Sequence, residues 1–107
     1  MIKNRVLQLS LTSGYTSETA IDSLTVPDGH VYKVIESRVP STALITSYVY
    51  VVNERVLELP GSINADQSPL VLNWELPAGT QVKVTGKNNT GSTALVGVNL
   101  IYDDIIK

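Results

Sequence analysis

His30 is the chain's single histidine, and it lies in Asp28-Gly29-His30, a sequence suited to a turn. A Ser-His-Asp triad needs that imidazole as base, beside a hydroxyl nucleophile and an orienting carboxylate. No Gly-x-Ser-x-Gly elbow supplies the nucleophile, so the expectation for His30 is a solvated turn residue. Cysteine is absent, which removes disulfides, thiol nucleophiles and thiolate metal sites together. One imidazole without thiolates makes a poor ligand set for a transition metal.

The carboxylates give little more. Glycoside cleavage needs two of them facing across a cleft, whereas Glu36, Glu54, Glu58 and Glu75 occur singly in strand-like segments. Asp103-Asp104 is the closest acidic pair and could join loop carbonyls around calcium, but EF-hand spacing is missing. Lys87-Asn88-Asn89-Thr90-Gly91 lacks the strand–loop–helix setting of a phosphate loop. The expectation is a protein that is not an enzyme and takes no cofactor. Tyr15, Tyr32 and Trp74 are the candidates for stacking against a sugar ring. For Trp74 the competing place is the core, since it shares parity with Leu70, Leu72 and Leu76.

Charge narrows the partners. Eight basic and ten acidic residues, net −2, are scattered with no basic stripe, so nucleic-acid binding is not expected. The longest apolar run, Tyr48 to Val52, is far below the roughly 20 residues that cross a bilayer as a helix, so no membrane role is expected. Met1-Ile2-Lys3-Asn4-Arg5 has no apolar signal-peptide region, and synthesis in the cytosol without a signal peptide is the expectation.

Such side chains need a scaffold, and the composition points to strands. There is no Phe, one Met and one Trp, so Val, Leu and Ile supply the bulk, and with abundant Thr they favour a pleated, half-buried surface. Leu7, Leu9 and Leu11 alternate within residues 5–11, and Ala20, Asp22, Leu24 and Val26 share a parity in the next segment. Residues 31–39 form a β-prone run that stops at Val39-Pro40, and residues 43–52 another, with Asn53-Glu54 as its connection to residues 55–59. A long loop is expected at residues 62–69. Residues 70–76 then place Leu70, Leu72, Trp74 and Leu76 in register, Val82 and Val84 point inward from residues 80–86, and residues 93–102 close the chain. Pro27-Asp28-Gly29 and Pro77-Ala78-Gly79 are turns in which Pro presets the second position. Eight strands with short spacings predict one all-β domain over residues 1–107, an antiparallel two-sheet sandwich and most naturally a jelly roll, with an immunoglobulin-like sandwich or small barrel as alternatives. The pattern apolar-Pro-x-Gly-x-x-x-Lys-Val occurs at Val26–Val34 and again at Leu76–Val84. It reads either as two good turns or as two related Greek-key halves.

Two segments, 43–52 and 93–102, are apolar on both parities. Either their second faces or edges meet another protein copy, or they lie at the sandwich centre under loops. Ile105-Ile106 in a terminal tail also needs cover. Ile2, Tyr48, Tyr50, Ile105 and Ile106 are therefore the candidate protein-interface residues.

Leu76-Pro77-Ala78-Gly79-Thr80 before a strand, the polar turn Asn88–Gly91 and the final apolar strand Leu95–Tyr102 give a chain that resembles the small decoration proteins (also called auxiliary or cement proteins) of tailed-phage capsids, and the β-sandwich domains of head and tail fibres. The resemblance covers residues 20–104 in style and carries over no catalytic residue. It implies a virion protein that adds to the outside of the shell, bridges major capsid protein subunits and stabilises the lattice, often as a trimer or as a monomer at a local symmetry axis. A carbohydrate-binding or lectin-like module and a fibre or baseplate subunit are the alternative readings.

Overall fold

The computed structural model describes residues 1–38, 44–60 and 70–107, and of residues 60 and 70–72 the backbone alone. The expected loop at 62–69, the stop at Val39-Pro40 and the start at Ala43 lie outside the described residues. Among the described residues there are eight strands: β1 (Ile2–Leu11), β2 (Thr19–Thr25), β3 (His30–Arg38), β4 (Ile45–Val51), β5 (Glu54–Pro60), β6 (Leu70–Leu76), β7 (Gln81–Asn88) and β8 (Ala94–Ile106).

Their pairing follows one rule. β1 pairs with β8, β2 with β7, β3 with β6 and β4 with β5, all antiparallel. The chain is thus one long hairpin whose arms stay paired while the ribbon rolls up. Rolling adds β3–β8 and β4–β7, which gives two four-stranded sheets ordered β1-β8-β3-β6 and β2-β7-β4-β5. This is the jelly-roll sandwich.

Medium-sized side chains fill the interior: Leu7, Val26, Val34, Val49, Val82, Val84, Val98 and Leu100 are all at most 2 % exposed. Strict alternation fails where a strand carries an extra residue. In β2 the register steps from Ala20↔Thr85 to Asp22↔Val84 and leaves Ile21 unpaired. The inward face therefore changes parity: Ile21 and Leu24 pack against the core while Ala20 and Asp22 are exposed. A second step in β3 leaves Ile35 without a partner on β8, between Val34↔Tyr102 and Glu36↔Ile101. On β1, Leu7 and Leu11 are buried, but Leu9 is 47 % exposed because β1 is an edge strand with no further strand beyond it among the described residues.

Both doubly apolar segments are interior strands, β4 between β7 and β5, β8 between β1 and β3. β8 runs farther than expected, to Ile106, so the terminal pair is no free tail: Ile105 pairs with Val31 and is half-buried, while Ile106 opposite His30 stays exposed. The β4–β5 connection is Val52-Asn53 rather than Asn53-Glu54, with φ 51° and 64°. Both residues are left-handed, as a two-residue type I′ turn requires.

The repeated Pro-x-Gly turns lie side by side. Gly79 N–H donates to Val26 O at 2.8 Å, and Val26 N–H to Thr80 O at 2.9 Å. In each turn Pro is the first residue and not the second, since its carbonyl accepts from His30 N–H and Thr80 N–H respectively. Gly29 and Gly79 take the third position with φ 80° and 85°, where a Cβ would be strained.

Candidate functional site

The outer face of the β2-β7-β4-β5 sheet carries a dense set of charged and aromatic side chains. Tyr48 and Tyr50 alternate on β4 with the inward Ser47 and Val49, so both point outward. Across β7, Tyr48 lies opposite Thr85, Tyr50 opposite Lys83, and Thr46 opposite Lys87. On the other side the β4–β5 register steps from Val49↔Leu57 to Tyr50↔Arg55 and leaves Val56 unpaired. Such a bulge re-aims the next side chain, and here Arg55 folds back over the tyrosines.

Its guanidinium carbon lies 4.3 Å from the Tyr48 ring centre and 5.6 Å from that of Tyr50. Arg55 Nε and Nη2 donate to the Tyr50 hydroxyl oxygen at 3.2 and 3.0 Å, and Nη2 donates to Glu18 Oε1 at 3.2 Å. The same carboxylate oxygen accepts from Tyr50 O–H and from Thr85 O–H, the latter at 2.7 Å. Burial pulls the Glu18 carboxyl upward, but the Tyr50 and Thr85 hydrogen bonds with the Arg55 charge outweigh it and hold its pKa below the ordinary value. Arg55 is raised, chiefly through Tyr50. Lys87 and Lys83 stand 5.5 Å and 5.3 Å from the Tyr48 and Tyr50 rings.

Tyr48 is only 3 % exposed, and among the described residues Arg55 and Lys87 of its own sheet cover its ring. Arg55 is held in place by bonds from Nε and Nη2, and its Nη1 donors are unbonded among the described residues. Three cations arrayed on an aromatic base suit a carboxylate-rich or otherwise anionic surface, with guanidinium geometry matching a planar anion.

A second polar cluster ties strand ends together. Asp104 Oδ2 accepts from Lys3 Nζ at 2.7 Å, and Asp104 Oδ1 lies 2.7 Å from His30 Nδ1. His30 is thus not a solvated turn residue; it joins β3 to β8. The Lys3 and His30 hydrogen bonds hold Asp104 below the usual carboxylate range, and Lys3 is raised by the same contact. Asp103 turns to the opposite face and meets the N-terminal amine at 2.7 Å. Alternation separates the two carboxylates, so they do not converge on one cation. Tyr32 stacks on Tyr102 with ring centres 4.4 Å apart, and burial, then Tyr32, raises the Tyr102 phenol.

The sugar-stacking candidates are dispersed. Tyr15 is exposed beyond the Leu11↔Ala94 end of the sheet, whereas Tyr32 lies opposite Asp104 near the other end. Ten residues of β8 separate these levels, roughly 33 Å. Trp74 faces inward opposite Val34 and packs against the core. Of the interface candidates, Ile2 is 61 % exposed opposite Asp103, and Ile106 is 77 % exposed at the same end. Arg55, Glu18, Lys83 and Lys87 escaped the sequence reading. The spacing Lys83-x-Thr85-x-Lys87 beside Tyr48-x-Tyr50 is period-two and contains the signal, but only pairing reveals that the two rows are adjacent. Compared with known proteins, the chain matches no family model, no curated protein and no solved structure.

Proposed function

We propose that the protein is a non-enzymatic structural component of a virus particle, an auxiliary protein that attaches to the outside of the capsid and stabilises it. The attachment face is the outer surface of the β2-β7-β4-β5 sheet. One observation carries this reading: Arg55 is pinned over Tyr48 by Tyr50 and Glu18, on the face that also holds Lys83 and Lys87 against the tyrosine rings. A fixed cation loses little freedom when it meets an acidic patch, and the partner is the carboxylate-bearing surface of a major capsid protein. Many copies of a modest contact reinforce a lattice without one large interface. The jelly roll and the resemblance of residues 20–104 to decoration proteins support the same reading, although the fold alone hosts many functions.

The test is sedimentation of purified particles of the encoding virus with added wild-type chain, R55E and K83E. Wild type is expected to co-sediment, with each variant losing at least about tenfold in affinity and raised salt weakening the wild type. Failure of wild-type protein to bind, or undiminished binding by both variants, would overturn the reading.

A further inference from the structure

We propose that β1 pairs edge to edge with β1 of a second copy, antiparallel, about a two-fold axis through Val6. This surface is separate from the cationic face and does not depend on it.

The direction of the β1 backbone groups follows from its first pair. Met1 and Asp104 exchange both main-chain hydrogen bonds, Asp104 N–H to Met1 O at 2.8 Å and the Met1 amine to Asp104 O at 3.1 Å. The β1–β8 register then runs without a step from Ile2↔Asp103 to Leu11↔Ala94. In an antiparallel ladder alternate residues bond to the same neighbour. Odd-numbered residues of β1 therefore bond to β8, and Ile2, Asn4, Val6, Gln8 and Ser10 turn N–H and C=O to the open edge. The far side of β8 confirms the alternation, since Lys107 N–H donates to Gly29 O at 2.7 Å. None of the five outward residues is proline or glycine, and no bulge twists the edge away. The protections usual at an exposed edge are largely missing.

A second β1 satisfies those groups only if even residues meet even residues. Centred on Val6, Ile2 faces the copy's Ser10, Asn4 faces the copy's Gln8, and Val6 faces Val6, each pair exchanging two hydrogen bonds. The side chains agree with this register. Val6, 53 % exposed, meets its own symmetry mate, and the Asn4 and Gln8 amides are matched as donor and acceptor. On the inner face Lys3 falls opposite the copy's Leu9 and Arg5 opposite the copy's Leu7, so no like charges oppose each other. Lys3 is already paired with Asp104, and its aliphatic stem covers the exposed Leu9. β2, the edge strand of the other sheet, approaches β1 on the same flank, so both sheets turn an edge toward the copy. A two-fold contact of this type closes at two protomers, in contrast to the trimer or monomer that the family resemblance implies.

Sedimentation equilibrium between about 1 and about 100 µM, where contacts of micromolar strength dissociate, tests the proposal. The expected mass at the upper end is twice the 11.6 kDa of the protomer. V6P deletes only an outward N–H and no bond to β8; V6K sets two ammonium groups across the axis. Both are expected to return the mass to one protomer while the β-sheet circular-dichroism spectrum is kept. A wild-type mass of one or three protomers at 100 µM would overturn the proposal, as would dimers that persist in both variants.

Discussion

Ser47 and Gly97 clasp the two sheets together at their centre. Ser47 Oγ donates to Gly97 O at 2.9 Å and accepts from Gly97 N–H at 3.0 Å, with Ser47 fully buried. Gly97 has φ 128°, and a Cβ there would lie 2.1 Å from Leu7 O on the adjacent β1. β3 pairs with β8 as far as Arg38, opposite Asn99, and among the described residues it is the Ser47 hydroxyl that bonds the Gly97 peptide on that side.

Ser47→Ala leaves both Gly97 groups buried and unbonded, and is expected to cost about 1–3 kcal/mol in urea unfolding. Gly97→Ala forces β1 away from β8 and is expected to cost more, on the order of 4 kcal/mol. Equal, small effects from the two would show that the clasp does not hold the sheets.

Asn88 plays a similar part at the end of β7, two residues beyond Gly86, the partner of Ser47. It is fully buried, its Nδ2 donates to Leu11 O and Ser92 O at 2.8 Å, and its Oδ1 accepts from Thr90 N–H at 2.9 Å. Asn88→Ala is expected to destabilise by about 2–4 kcal/mol, since several partners lose their bond at once. Thermal and urea unfolding would both register it.

Acid sensitivity should centre on Asp104. Its folded pKa is lowered by hydrogen bonds from Lys3 and His30, so the stabilisation is complete above the unfolded carboxyl value near 4 and is lost as pH falls through the folded value. Asp104→Asn is expected to lower the urea midpoint clearly at neutral pH. The gap between variant and wild type should be smaller at about pH 2 than at neutral pH, because protonation of Asp104 removes the charge that the variant lacks. A constant gap at both pH values would contradict the sign of the effect.

The β4–β5 turn should be improvable. Val52 is β-branched, holds φ 51° and is 67 % exposed, so it accepts strain without contributing packing. Replacing Val52-Asn53 by Asn-Gly supplies the residues that a type I′ turn favours and is expected to stabilise by roughly 1–2 kcal/mol. An unchanged melting temperature would place the strain elsewhere.

Period-two patterning made the eight strands and the two-layer class legible from the residues, because a Val- and Leu-rich chain without Phe gains burial only by interdigitating many extended segments. The Pro-x-Gly echo at 26–34 and 76–84 was equally legible as paired turns. That the two turns lie against each other was not, since local conformation carries no information on which distant strand becomes a neighbour. The same limit hid the bulges at Ile21, Ile35 and Val56. An extra residue in a strand is defined only against its partner, and each bulge reverses which side chains face inward. His30 read as a solvated turn residue because Asp104 stands 74 positions away; Arg55 gave no signal because its aromatic bed belongs to another strand. Residue types set the strands and excluded thiol chemistry, while pairing register, a property of two segments at once, decided which side chains meet.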